Sequence, residues 1–375
     1  MNETKLLLGL IRSELFPKED CLPVEIGDDT LKILYNLSQK HDVTQILANV
    51  VIKNKLTKNP EAEKLLNSKK MLAVWRREQL DFEENRVYTL FDREGIDYIP
   101  LKGAVIKKLY PEQWMRTSCD IDILVRKEDI EKASDLLKEK LSFTDEGQHF
   151  HDRSFISKNN VHIELHFSLE EPFDKANNVL SKVWDYAEKK EGHRFELNNE
   201  FLIFHTVAHM QAHFAGGGCG IRPFIDLRLL STKLDYSKEV LYKMLEEADS
   251  LVFFKAVLDL TSVWFDEKEH TSLTEDMELY ITEGGAFGSR ANYSAAVRHQ
   301  KGGRLGYFLT RIFPPVAQMR SMFPKLNERP VLLPFYYVKR WFGLLNIKWA
   351  KNISHEFIKK EKADSVSEMM KKLGL

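Results

Sequence analysis

Cysteine is scarce in this chain. Its 375 residues include only three thiols, Cys21, Cys119 and Cys219, odd in number and far apart. That excludes a disulfide framework or a cysteine-built zinc site and fits a reducing cytoplasm. Net charge is nearly absent as well, at -1, so nothing overall speaks for a nucleic acid as partner. No stretch approaches the ~20 uninterrupted apolar residues of a membrane-spanning helix. The opening MNETKLLLGLIRSELF carries an early Glu3 and a short apolar run, unlike a secretory signal. Internal repeats and low-complexity tracts are lacking too.

What is present has ordinary globular proportions, with 43% hydrophobic and 30% charged residues. The length suits two or three domains, or one core with helical additions. Leu6, Leu7, Leu10, Ile11 and Leu15 recur at helical spacing, as do Leu31, Ile33, Leu34 and Leu37. Lys53–Lys70 reads as a charged, solvated face with its connecting loop. A longer helix is expected over Met71–Phe91, ending near Gly95.

The centre of interest is Tyr98–Arg126, YIPLKGAVIKKLYPEQWMRTSCDIDILVR. It reads as a short strand (Tyr98–Leu101), a Lys102-Gly103 turn, a helix (Ala104–Tyr110), a loop and a second strand. On that strand Asp120 and Asp122 point the same way, because strand side chains alternate faces, and they can share a divalent cation. Paired acids at the head of an apolar strand repel each other, so something positive should sit between them. By the same argument, removing both charges should leave the strand intact. Cys119 and Ile121 are expected to pack on the other face. A helix start at Gly103 offers free N–H groups for phosphate, with Lys102 and Arg116 as candidate phosphate cations.

Downstream, residues 127–141 form an amphipathic helix. Phe155–Ser157 and Val161–Phe167 form a hairpin across Lys158-Asn159-Asn160. His162, Glu164 and His166 share one face of its second strand. Phe173–Glu188 has a helical pattern, and Glu188–Arg194 is a charged boundary. A helix starts near Asn198, with Asn199 as N-cap, and carries His205, His209 and His213 at four-residue steps. Histidines so spaced can chelate zinc, but the rest of the zinc-protease signature is missing. The face is expected to look into a cleft. Gly216-Gly217-Gly218-Cys219-Gly220 implies close backbone approach or a moving lid; it lacks the Lys-Ser/Thr ending of a P-loop. Arg222 and Asp226, four apart, either pair with each other or close over a substrate.

The motifs LKGAVIKKLYP, Arg116 with DIDILV, and IELHFSL resemble the polymerase-beta-like nucleotidyltransferase superfamily. More narrowly, they are similar to a bacterial family of nucleotidyltransferases whose substrate is unsettled. The resemblance covers roughly residues 85–230. It implies an α+β fold: a small mixed sheet at 85–190, between an N-terminal helical region, 1–84, and a mainly helical C-terminal region, 191–375. It also implies transfer of a nucleoside monophosphate from a nucleoside triphosphate (NTP) to a hydroxyl of a small molecule or peptide. Asp120, Asp122 and Glu164 would hold one or two magnesium ions, with Glu164 as a ligand or as the base. Lys102, Gly103 and Arg116 would meet the phosphates, and His166, His209, His213, Arg222 and Asp226 the substrate side. Ala104 stands where the superfamily usually has Gly or Ser. The alternatives are a silent nucleotide-binding or scaffold module and a phosphotransferase.

The remainder is read as helical over 238–283, with Leu241, Met244, Leu245, Ala248 and Val252 buried, then loop-rich over Gly284–Gly303. Residues 331–351, with Tyr337, Trp341, Leu344 and Leu345 among flanking Lys and Arg, either pack into the core or lie on a membrane surface. The tail, Lys359–Leu375, is expected to be a peripheral charged helix.

Overall fold

The computed structural model describes residues 3–17, 22–172, 174–286, 288–300, 312–323, 325–344 and 360–375. Four helices lead: α1 (Glu3–Leu15), α2 (Asp28–Lys40), α3 (Thr44–Lys53) and α4 (Pro60–Glu94). Helix α4 begins eleven residues before its expected start. The Asn59 side chain caps the N–H groups of Glu61 and Ala62, and Pro60 takes the first helical position. The charged run Glu61–Lys70 is therefore helix rather than loop. The far end stops as expected, at Gly95 in the left-handed conformation.

A mixed five-stranded sheet follows, built from β1 (Tyr98–Pro100), β2 (Asp120–Val125), β3 (Thr144–Gln148), β4 (Asp152–Ile156) and β5 (His162–His166). Their order is β1-β2-β5-β4-β3. β2 and β5 run parallel and side by side, with Asp122 opposite Glu164 and Leu124 opposite His166. The other pairings are antiparallel. Between β1 and β2 the chain makes only a four-residue helix, α5 (Gly103–Ile106), then a 3-10 turn (Lys107–Leu109), in place of the longer helix expected there. α6 (Ile130–Leu141) joins β2 to β3.

The two sheet faces differ in company. Ile121, Ile123, Val125, Phe155, Ile163 and Leu165 pack beneath on Leu80, Val87 and Phe91 of α4 and on Ala133 and Leu137 of α6. Above, Ile99, Leu101 and Leu124 join a larger core that gathers α1–α3 together with the C-terminal helices. Cys119 does not pack beside Ile121. It is exposed, because it lies in the loop just before the ladder begins.

After β5 come α7 (Asp174–Leu180), a 3-10 turn at Val183–Tyr186 and a two-stranded hairpin, β6 (Ala187–Lys189) with β7 (Phe195–Leu197). The charged boundary 188–194 is thus largely the tip of that hairpin. The helices α8 (Asn199–Ala215), α9 (Arg222–Lys233), α10 (Lys238–Glu247), α11 (Leu251–Asp266), α12 (Ser272–Gly284) and α13 (Arg290–Gln300) complete the upper layer. The cap of α8 is Asn198, one residue earlier than read; its side-chain oxygen accepts the Phe201 N–H. Val252, expected inside, is exposed, since α10 ends at Glu247 and α11 begins on a new phase.

Packing decides three further expectations. Of the two readings of the glycine loop, close backbone approach holds and the moving lid does not, because residues 217–220 are buried. A Cβ at Gly288 would fall 2.5 Å from the Gly217 carbonyl oxygen, so the two backbones touch. The stretch after Gly284 is not mainly loop, because α13 forms and Asn292 donates to the Tyr280 carbonyl from within the core. Residues 301–311 lie outside the described residues, as do 345–351 of the segment that carries Tyr337 and Trp341. The tail is not peripheral either. The C-terminal helix Lys360–Leu373 packs on α12 and α13 and buries Val366, Met369, Met370 and Leu373. His299 bridges to it through Ser367 Oγ and the Leu375 carbonyl, each at 2.8 Å.

Leu373→Ala should therefore cost about 2–5 kcal/mol of unfolding free energy, read as a lower denaturant midpoint at unchanged slope. A peripheral tail would give less than about 0.5 kcal/mol.

Candidate active site

β1 ends where the Leu101 N–H donates to the Asp122 carbonyl at 3.0 Å. The next residue, Lys102, takes φ +40 and ψ -108, a region that costs a non-glycine residue about 1–3 kcal/mol. What this conformation delivers is the Lys102 ammonium, 2.9 Å from Asp122 Oδ1. His166 Nε2 reaches the same oxygen at 2.9 Å and Glu164 Oε2 at 3.5 Å. Lys102 and His166 thus bring positive charge to Asp122.

Asp122, Glu164 and His166 offer ligand atoms that all lie within 4.8 Å of one another. Asp120 faces the same cavity, but its carboxylate accepts from Ser118 Oγ at 2.9 Å. The cavity measures about 770 Å³, the size of a small-molecule site. Lys102, Asp120, Glu164 and His166 line one side, and Glu171, Asn177 and the three α8 histidines line the other.

The charges divide sharply. Burial alone would raise Asp122, yet Lys102 and His166 hold its carboxyl well below the usual range. Burial raises Asp120, and the neighbouring charges of Asp122 and Glu164 push it further up. Glu164 is lowered by its hydrogen bond to His166. Burial disfavours the imidazolium of His166, but Asp122 and Glu164 outweigh it, so His166 is raised. Across the cavity, burial drives His205 and His209 well below their ordinary value, helped by neighbouring histidines and Lys102. His213 is lowered as well, mainly by burial.

The α8 face does look into the cavity, and it is wired. His209 Nδ1 lies 2.8 Å from Glu171 Oε1, and His213 Nε2 lies 3.1 Å from His209 Nε2. Glu171 and His151, which stacks on the His166 ring at 5.5 Å, were not singled out from the sequence. The signal for Glu171 was weak: one acid in the Glu170-Glu171-Pro172 run that follows IELHFSL.

Four other candidates, Arg116, Asp226, Arg222 and Gly103, lie elsewhere. Arg116 is not at the cavity. It is buried and forks onto Asp226 at 2.9–3.2 Å, where Tyr110 also donates at 2.7 Å. Arg222 and Asp226 do not pair with each other. Arg222 binds Asp42 and the Thr117 carbonyl, which fixes the loop feeding Asp120. Gly103 is not an open phosphate seat, since the Ala104, Val105 and Ile106 N–H groups already bond within the turn. Instead Gly103 lets Arg116 pass: a Cβ there would lie 2.9 Å from Arg116 Nη1 and 3.1 Å from Ser118 Oγ.

The expectation that both aspartates can be neutralised without harm also needs correction. Asp122 is itself buried and is the partner of the half-buried Lys102, so its removal strands that charge; Asp120 is the member whose loss relieves repulsion.

A family model described as an uncharacterised nucleotidyltransferase matches residues 30–266. No curated protein matches the chain.

Gly103→Ala should lower stability by about 1–3 kcal/mol, seen in the denaturant midpoint, because the added methyl displaces Arg116 from Asp226. A pH effect follows from the histidines. The unfolded chain takes protons on them near the ordinary value of about 6.5, whereas the folded pocket refuses them until well below it. Stability is therefore full above about 6.5 and falls as the solution is acidified. His205→Asn should flatten that fall in melting temperature, leaving the neutral-pH value within a few degrees.

Proposed function

The chain belongs to the uncharacterised nucleotidyltransferase family, and from that premise we propose that it is a magnesium-dependent enzyme moving a nucleoside monophosphate from an NTP to an acceptor hydroxyl. The observation that carries this reading is the convergence of Asp122, Glu164 and His166 within 4.8 Å, with Asp120 and Lys102 on the same cavity wall. It also fits the polymerase-beta-like arrangement implied by the sequence motifs.

The donor set suits a hard divalent ion. Asp120, Asp122 and Glu164 supply oxygens, and His166 Nε2, which carries the proton it donates to Asp122, would add one nitrogen on giving that proton up. When bound, such an ion would neutralise phosphate charge and stabilise the departing pyrophosphate.

The chain's own residues do the rest. Lys102 brings positive charge to the cavity wall and keeps Asp122 ionised. His209, kept neutral by burial and oriented by Glu171, is placed to receive the acceptor proton, and His213 extends that path. The acceptor oxygen then bonds to the α-phosphorus. The α–β phosphoanhydride bond breaks and pyrophosphate leaves with the electron pair. Catalysis of this kind is mainly positioning and charge neutralisation, so the backbone grip lost at Ala104 is offset by side chains.

The test is pyrophosphate release from a panel of NTPs with magnesium or manganese, run on wild type, Asp120→Asn and Glu164→Gln. Wild type should turn over one nucleotide preferentially. Both variants should keep their melting temperature within a few degrees and lose at least about 100-fold in rate. Undiminished release by either variant sinks the assignment. Nucleotide binding with no release by wild type would favour a silent module, and a phosphate-only adduct on the acceptor would favour a phosphotransferase.

A further inference from the structure

We propose that the segment around the helix Leu333–Leu344 docks this chain on an anionic lipid surface. This concerns where the protein works and is independent of the reaction above.

One face of that helix is anchored. Tyr337 Oη donates to the Pro314 carbonyl at 2.6 Å and Trp341 Nε1 to the Ile312 carbonyl at 2.8 Å, with the Phe313 ring between them. The other face is apolar and bare. Val331, in the 3-10 turn Pro330–Leu332 that leads into the helix, and Phe335, Val338 and Phe342 within it recur at four-, three- and four-residue steps and are 90%, 62%, 42% and 70% exposed. A helix apolar on both faces either sits inside a core or meets something apolar from outside. Among the described residues nothing covers the outer face, so core packing, one of the two readings of this stretch, accounts only for the anchored face. Each such side chain gains about 1.5–3 kcal/mol on full burial, a large surface to leave in water.

The charge pattern says what covers it. Residues 301–351 hold ten of the chain's 55 Lys and Arg but only one of its 56 Asp and Glu, Glu328. The stretch is net basic by nine in a chain whose total is -1. Arg320, Lys325, Arg329 and Lys339 are exposed within it. Ten of these 51 residues are Phe, Tyr or Trp, against 11% for the whole chain.

Bare aliphatic and aromatic side chains rimmed by cations are the chemistry of the headgroup boundary of an acidic bilayer. Nucleic acid would use the cations and aromatics but give Val331 and Val338 nothing to bury against. A second copy meeting this face with its own would set basic against basic. Among the described residues no helix is long and apolar enough to cross a membrane, and the docking proposed is on the surface of the bilayer.

The experiment is co-sedimentation of the full chain with phosphatidylcholine vesicles, with and without phosphatidylserine. The full chain should partition onto the phosphatidylserine vesicles, more weakly onto phosphatidylcholine alone, and lose binding as salt rises. Phe335→Ser/Phe342→Ser and Lys325→Glu/Arg329→Glu should each lower partitioning about tenfold or more at unchanged melting temperature. No partitioning onto either vesicle, or equal partitioning by the variants, overturns the proposal. So does binding to a single-stranded RNA homopolymer without vesicle binding. A self-associated chain that Phe335→Ser/Phe342→Ser makes monomeric, with no vesicle binding, overturns it as well.

Discussion

A carboxylate buried in the middle of a sheet must be neutralised, and the way Asp122 is neutralised shapes much of this molecule. An isolated buried charge costs far more than a domain's net stability. Here one oxygen of Asp122 takes both the Lys102 ammonium and His166. To deliver that ammonium the backbone accepts a left-handed φ at a lysine. The glycine after it makes room for Arg116, and Arg116 in turn holds Asp226 of α9. A single buried acid is thereby linked, contact by contact, from the sheet to the helical layer above it. Nearby, Arg222 ties the same loop to Asp42, between α2 and α3.

The same side-chain type is pushed in opposite directions across one cavity. His166 lies against two carboxylates and is held toward its charged form. His205 and His209 sit on a buried helix face near Lys102 and other histidines and are held neutral. Groups whose environments drive their pKa values apart are suited to different proton roles. The pairing of Glu171 with His209 adds orientation to the neutral set.

Parts of this were legible beforehand. The alternation of DIDILV and HIELH put Asp120 with Asp122, and Glu164 with His166, on single faces, because the strand period is 2 and an apolar partner set must go inward. The four-residue histidine spacing put His205, His209 and His213 on one side of α8 for the equivalent reason in a helix. What failed were contacts between segments distant in sequence. Arg116 was read as a free loop cation, yet its partner lies 110 residues on. The glycines at 216–220 carried the signature of close approach, but not its partners Ala286, Gly288 and Tyr293. The tail's Val366, Met369, Met370 and Leu373 are spaced for burial, but only α12 and α13 supply something to bury against.

Local pattern therefore determined the strands β2 and β5, the histidine face of α8 and the residue types that can bind a cation. These follow from backbone periodicity and capping, which are properties of neighbouring residues. Tertiary structure alone decided that β2 and β5 lie parallel and adjacent, and so that Asp122, Glu164 and His166 meet. It also decided which cations face the cavity, Lys102 and not Arg116. Charge pairing is a three-dimensional choice: a carboxylate takes whichever donor the fold brings within about 3 Å, however far away it lies in the chain.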